Sequence, residues 1–491
     1  MTTASQTRPN QAQSKPSNSQ QADWGRAFSG PIRDFPLTPL TVVSGALPPD
    51  IRGSLYRNGP ALFERQGERI AHWFDGDGAV LGVHFNGTGA TGVYRMVQTA
   101  GYQAEAATGQ FKFGSYGRRP SGPFWQSSTR QPKNSANTSV LATSDRLLAL
   151  WEGGHPYALD LQTLDTLALD DLQGLEPGQP FSAHPKVDPI TGESYNFGVS
   201  FGRKTQLHLY RCDRQGQVRQ KGTIPLDIAP LIHDFAMAGP YLIFCISPVH
   251  LNPLPLLLRW QSYSEALHWH AEHPTQILVV DRDTLQLVGQ GEADPWFQWH
   301  FGNGFVDRDG QVALNLVRYP DFQTNQFLRD VPSGQPQTVA LGTLWQLRIN
   351  PQTATVTEAL QLSDRTCEFP TVNPTQVGQA TRYTYLSTRS DAAQATDLFD
   401  AIAGFDHNSG ELTVADLGQH RYPSEPIFAP HPQNPEQGWI LTVVYDSDRH
   451  CSEVWIFDGP ALQSEPICRL ALPEVVPFGF HGTWKMRQNA G

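Results

Sequence analysis

Sixteen histidines carry most of the metal-binding and acid–base chemistry available to this 491-residue chain. None falls in a compact signature: the sequence has no HExxH and no HxxxH on an expected helix. Four nevertheless occur in comparable surroundings: His184 in FSAHPKVDP, His233 in LIHDFAMAG, His300 in WFQWHFGNGF and His481 in PFGFHGTW. Three of them sit among aromatic or apolar residues, where a charged imidazole is expensive. A metal satisfies such a group while keeping it neutral, and a core histidine donating one hydrogen bond does so too. The densest group is HWH at 268–270 with His273 beyond. It follows LNPLPLLLRWQSYSEAL and reads as a solvated or interfacial helix end. In HWFDGDG, Asp75 and Asp77 could form a calcium loop or an acid–base pair, but a tight DGDG hairpin turn accounts for both with less.

Residues so far apart act together only if the fold brings them together. Glycine (43) and proline (39) are plentiful, and short Val/Ile/Leu/Tyr runs are bounded by turn residues, the profile of an all-β protein. One unit recurs: an apolar run, an Asp or Asn turn, then a second run. It appears in YALDLQTLDTL, LHLYRCDRQGQV, ILVVDRDTLQLV, LWQLRINPQTATV, IAGFDHNSGELTV and VWIFDGPALQ, and the turns start near residues 160, 213, 281, 350, 406 and 458. Intervals of about 50–70 residues suit four-stranded propeller blades with inserted loops. Together with GSLYRNGP through GVYRM, they predict six or seven blades in one domain over residues 23–491. Inner strands of successive blades converge on an axis, so single residues far apart in sequence can meet. The last strand of such a ring pairs with N-terminal material, which would tie down PFGFHGTW. Residues 1–22 are polar and are expected to be disordered.

The bulk properties narrow the partners. A net charge of −11 without basic clusters excludes a nucleic-acid footprint. Five scattered cysteines, with no CxxC, fit reduced thiols in a cytoplasm. No stretch reaches the roughly 18 apolar residues of a membrane span, and the N-terminus lacks a signal-peptide core.

LYRNGP at 55–60, HWFDGDG at 72–78, FSAHPKVDP at 181–189, HDFAMAG at 233–239, EFPTVNP at 368–374, EPIFAPHP at 425–432 and FGFHGTW at 478–484 occur in this order. In these motifs the chain resembles the carotenoid cleavage oxygenases, and within them the cyanobacterial apocarotenoid-cleaving branch. The resemblance spans nearly the whole chain. It implies a seven-bladed propeller, capped by loops and short helices, with an axial non-haem Fe(II) held by His184, His233, His300 and His481. It also implies three supporting glutamates: Glu152 for His233, Glu368 for His300 and Glu425 for His481, with none for His184. A ligating imidazole usually gives its other N–H to a carboxylate, which sets tautomer and ring angle. Thr138 falls where the family places a side chain near the remaining coordination position.

Four neutral ligands leave reduced iron free to activate O2 for splitting a polyene double bond into two aldehydes. The substrate is then positioned by a long apolar tunnel. Trp151, Trp299, Tyr319 and Phe369 are the candidates for lining it, each standing next to or shortly after a motif residue. The segment VHLNPLPLLLRWQSYSEALHW at 249–269 is too broken to span a bilayer. It reads as a membrane-facing rim, with Leu254, Leu256, Leu257, Leu258 and Trp260 as its apolar contacts. The expected protein is a cytoplasmic, peripherally membrane-associated monomer cleaving an apocarotenoid with O2, at the central 15,15′ bond to give retinal. Two other readings are a stilbene-cleaving or retinoid-isomerising relative with the same iron, and a metal-free propeller scaffold.

Overall fold

The recurring Asp and Asn turns do structural work that their spacing alone does not show. In the computed structural model, which describes residues 22–30, 32–122, 132–460, 462 and 465–487, the side chain of Asp160 accepts from the backbone N–H groups of Gln162 and Thr163. Asp213, Asp281 and Asn350 repeat the arrangement, and Asp406 accepts from Asn408. Each side chain thus closes the hairpin between the two outermost strands of a blade. All but Ala22 of the tail expected to be disordered lies outside the described residues.

Seven antiparallel blades result. The second runs outward from Ser139–Ala142 to Thr166–Leu169, and the third from Lys186–Val187 to Val218–Leu226. The fourth and fifth start on Ala236–Ala238 and Phe301–Val306, which touch through a parallel Ala238–Gly304 bridge. The sixth runs from Cys367–Thr371 to Glu411–Asp416. The first and seventh are each assembled from both ends of the chain. In the first, C-terminal Gly482–Met486 is the innermost strand and pairs with Arg52–Leu62, from Arg57–Gly482 to Gly53–Met486. In the seventh, N-terminal Thr41–Gly45 is outermost, beside Cys468–Ala471. Apolar side chains fill the space between blades. Leu55, Leu81 and Val83 of the first pack against Leu441, Val454 and Ile456 of the seventh, all buried. All five cysteines are unpaired.

Two local expectations fail. HWH is not a helix end: Leu267–Trp269 is a strand paired with Val249–Leu251. Alternation explains it, because Val249, Leu251 and Leu267 are buried while His250 and His268 face each other across the pair on the other side. Nor is DGDG a hairpin turn. Trp73–Asp75 is one 3-10 turn, and the chain then runs straight into the strand Asp77–Asn86. The two carboxylates are anchors. Asp75 accepts from Ser115 Oγ and the Gly117 and His72 N–H groups at 2.7, 2.7 and 2.9 Å. Asp77 pairs with Lys133 at 2.9 Å and Arg65 at 3.1 Å.

The same turn makes a pH-sensitive anchor of His72. Its Nδ1 accepts from Phe74 N–H at 3.1 Å, which leaves the proton on Nε2 to be donated to the Asn325 carbonyl. Burial pushes its pKa down to about 3. The unfolded chain protonates this group near ~6.5, so its contribution is complete above that pH and is lost as the pH falls from there toward 3. In thermal scans the Tm of His72→Gln is therefore expected to fall less between pH 6.5 and 4 than that of the wild type; equal slopes would refute this.

Candidate metal centre

The ring presents one residue per blade at the same height. Thr138, His300 and His481 immediately precede the inner strands of the second, fifth and first blades. His184 and His233 stand just before those of the third and fourth. Glu368 lies within the inner strand of the sixth, and Glu425 just before that of the seventh. Because each inner strand starts at this end of the axis, seven separate segments aim at one point.

The four histidines meet there. Nε2 of His233 is 3.0 Å from Nε2 of His184 and 3.3 Å from Nε2 of His300. The His481 ring centroid lies 4.7 and 4.6 Å from those of His184 and His300. All four are buried, and one ring nitrogen from each falls within a 4.8 Å cluster that could hold a metal ion. Burial, reinforced by the neighbouring imidazoles, holds His184 and His481 well below the usual histidine pKa. Burial acts on His233 in the same sense, but the Glu152 carboxylate outweighs it and the net shift is upward.

The outward-facing nitrogens meet the expected carboxylates. His233 Nδ1 pairs with the Glu152 carboxylate, while His300 Nδ1 donates to Glu368 at 2.5 Å and His481 Nδ1 to Glu425 at 2.9 Å. Glu152 reaches His184 only at 3.8 Å, from Nε2. Two of the carboxylates, Glu368 and Glu425, are themselves held. Tyr319 Oη donates to Glu368 at 3.2 Å, the Phe369 N–H does so at 2.6 Å, and the Gly482 N–H donates to Glu425 at 2.8 Å. Burial raises Glu425 to about 7, partly offset by Arg57 at 3.9 Å. Phe369 adopts φ of 54°, a left-handed conformation costing about 1–3 kcal/mol in a bulky residue. That backbone buries Glu368 while stacking the Phe369 ring on His300 at 5.4 Å. A buried cluster of four imidazole nitrogens, three of them backed by carboxylates, fits a soft-to-borderline divalent metal.

On one side of the histidines lies a cavity of about 1130 Å³. Thr138, Trp151, Trp299, Tyr319 and Phe369 all line it, as do His233, His300 and His481. It reaches Leu256 and Leu257 of the short helix Pro253–Leu257. Around that helix Leu254, Leu257, Leu258 and Trp260 are 61, 76, 43 and 67% exposed. The sequence reading overlooked Trp73, Phe74 and Phe480, which also line the cavity; they flank the HWF and FGFHG motifs and could have been chosen on the same ground as Trp151. It also overlooked Arg389, a lone cation in a polar loop with no motif to mark it.

A seven-bladed ring with four histidines at its axis defines a propeller with a metal-binding centre. A family model described as retinal pigment epithelial membrane protein, RPE65, matches residues 31–486, and the chain belongs to the RPE65/carotenoid oxygenase family, which includes oxygenases acting with O2. The apocarotenoid-15,15′-oxygenase of Synechocystis sp. is 35% identical over 94% of this chain and 96% of its own. Carotenoid 9,10(9′,10′)-cleavage dioxygenase 1 of Arabidopsis thaliana is 29% identical over 92 and 86%. Resveratrol cleavage oxygenase 1 of Aspergillus fumigatus is 27% identical over 90 and 91%. Among solved structures, cobalt-substituted Synechocystis apocarotenoid oxygenase superposes with a TM-score of 0.87 at 34% identity, covering 95% of this chain and 98% of the other.

Proposed function

We propose that His184, His233, His300 and His481 hold Fe(II) and that the protein cleaves one carbon–carbon double bond of an apocarotenoid with O2, at the 15,15′ position to give retinal. The observation that carries this reading is the buried four-imidazole cluster on the wall of a large, aromatic-lined cavity. Reduced iron in that cluster would supply the activation of O2 needed to turn a double bond into two carbonyls. The protein's own groups do the rest. Glu152, Glu368 and Glu425 keep the Nδ1 protons on the outer side, so that each Nε2 lone pair faces the axis. Trp151, Trp299, Tyr319 and Phe369 exclude water and hold an extended polyene against the cluster. Thr138, whose hydroxyl donates to Asn137 at 3.1 Å, is placed to limit access beside His481. The 15,15′ assignment leans on the 35% identical relative of that name.

The test is to load the protein with Fe(II) anaerobically, offer apocarotenals and stilbenes in air, and identify products by mass. Two aldehydes from an apocarotenal, with retinal among them, are expected. A stilbene-only product would shift the assignment toward the reading that the Aspergillus relative supports. Isomerisation without cleavage would shift it to a retinoid isomerase, and a protein that takes up no metal would return it to a scaffold.

Residues 23–491 would act as one catalytic unit, a cytoplasmic monomer touching the membrane peripherally. No helix among the described residues is long and apolar enough to cross a membrane. The exposed Leu254, Leu257 and Trp260 beside the cavity instead support shallow insertion. Each such side chain gains about 1.5–3 kcal/mol on full burial. Replacing all three by serine should therefore lower partitioning onto phosphatidylcholine vesicles at least tenfold in a flotation assay, and unchanged flotation would sink the idea.

A further inference from the structure

Three arginines line the cavity away from the metal centre, and one of them is buried. Arg389, in the loop after the strand Tyr383–Thr388, lines the cavity yet is only 7% exposed. Its Nε donates to the Asp397 carbonyl at 2.9 Å, but Nη1 is buried with no partner among the described residues. Phe327 and Phe399 flank the guanidinium, their ring centroids 5.8 and 5.5 Å from its central carbon. Burial lowers its pKa, and Tyr319, Asp397 and Asp400 offset this only in part. Another cavity-lining arginine, Arg118, has a carboxylate partner, Glu68 at 2.6 Å. No carboxylate among the described residues forms an ion pair with Arg389. A buried guanidinium donor without an acceptor is costly, and the cost is removed if a ligand supplies the acceptor.

The geometry points to Arg389 as the anchor for an acceptor oxygen, aldehyde or carboxylate, at one end of the polyene that fills this cavity. The inference rests on the proposed function and adds a specificity-determining subsite to it. A planar, permanently charged fork suits a carbonyl or carboxylate held in a fixed plane. The aromatic and aliphatic walls around it, Phe327, Leu398 and Phe399, exclude the water that would otherwise compete. Fixing one end of a rigid rod also fixes which of its double bonds lies beside the histidines. Arg389 would thus set the position of cleavage without touching the reacting atoms.

The test starts from the metal-free protein, so that binding is read apart from turnover. Tryptophan fluorescence is titrated with an apocarotenal, the corresponding apocarotenoic acid and the corresponding hydrocarbon that ends in a methyl group. Wild type should bind the two oxygenated polyenes about 10- to 100-fold more tightly than the hydrocarbon, the range for a hydrogen bond to a charged group. Arg389→Met should erase that preference and leave the hydrocarbon's affinity unchanged. In the Fe(II)-loaded protein the same variant should raise KM for the apocarotenal by a similar factor, keep kcat, and spread cleavage over neighbouring double bonds. Arg389→Lys, which keeps the charge and loses the fork, should lie between the two, and it stands in if the methionine variant does not fold. Equal wild-type affinity for all three polyenes, or an unchanged preference in Arg389→Met, overturns the anchor and leaves the proposed function standing. A wild-type protein that binds none of them overturns both.

Discussion

Replacing His481 by alanine is expected to abolish metal retention and, with it, turnover. The imidazole is one of four in a cluster 4.8 Å across, and among the described residues no fifth histidine, cysteine or carboxylate joins that cluster to take its place. Its removal also leaves Glu425, buried and already raised to about 7, without the donor to Oε1, only the Gly482 N–H on Oε2 remaining. Loss of an outer-shell partner typically costs ~10–100-fold in metal affinity, and losing the ligand itself should cost more. Glu425→Gln, which alters only that outer hydrogen bond, should therefore show the smaller defect. Metal content after anaerobic loading and dialysis reads both. A metal-replete, active alanine variant would make His481 an ordinary core histidine.

The second large effect is expected at a residue with no functional group. Gly59 lies where the first blade's long strand meets the final segment: Asn58 N–H donates to the His481 carbonyl and Phe480 N–H returns a bond to Asn58, both at 2.9 Å. A Cβ on Gly59 would overlap Gly479 Cα and sit 3.2 Å from Phe480 N. Backbone cannot rotate away as a side chain can, so Gly59→Val should destabilise by about 3 kcal/mol, the upper part of the usual overpacking range, and should displace His481 with the strand. Gly89, with nothing within 4 Å of its added Cβ, provides the control. Urea midpoints and metal content are expected to fall together in Gly59→Val and to stay put in Gly89→Val. A Gly59→Val protein with a wild-type midpoint would mean that the crossing is looser than its contacts imply.

Much of the ring was legible because its repeat is written in backbone chemistry. An Asp or Asn that bonds its own turn closes the outer hairpin of five blades, so it recurs at blade intervals, while Asp458 lies inside the strand Cys451–Gly459. The metal centre was legible as a ligand set only through the resemblance to the carotenoid cleavage oxygenases, since His184, His233, His300 and His481 share no spacing and are brought together by the strands they precede. What escaped depends on partners distant in sequence. Asp75 and Asp77 look like a turn until Ser115, Gly117, Lys133 and Arg65 arrive from elsewhere. Gly479 and Gly482, which in PFGFHGTW suggest a backbone turning inward, have no positive φ; a Cβ on Gly482 would lie 2.5 Å from the Tyr56 carbonyl oxygen, so close approach excludes the side chain. His268 and His270 follow a short 3-10 turn that imitates a helix end, while pairing with Val249–Leu251 decides their conformation. Arg389 carries no local pattern at all, because its meaning lies in the acceptor it lacks.

The innermost strand of the first blade is also the last of the described strands in chain order. A growing chain emerges N-terminus first, and domains fold as their residues become available. Until Gly482–Met486 has left the ribosome, the first blade lacks its axial strand, the ring is open, and the cluster is one imidazole short. A chain that stopped before His481 would therefore present three imidazoles at the axis instead of four. Closure of the ring and completion of the cluster thus fall to one segment: the strand that closes the first blade begins at the residue after His481.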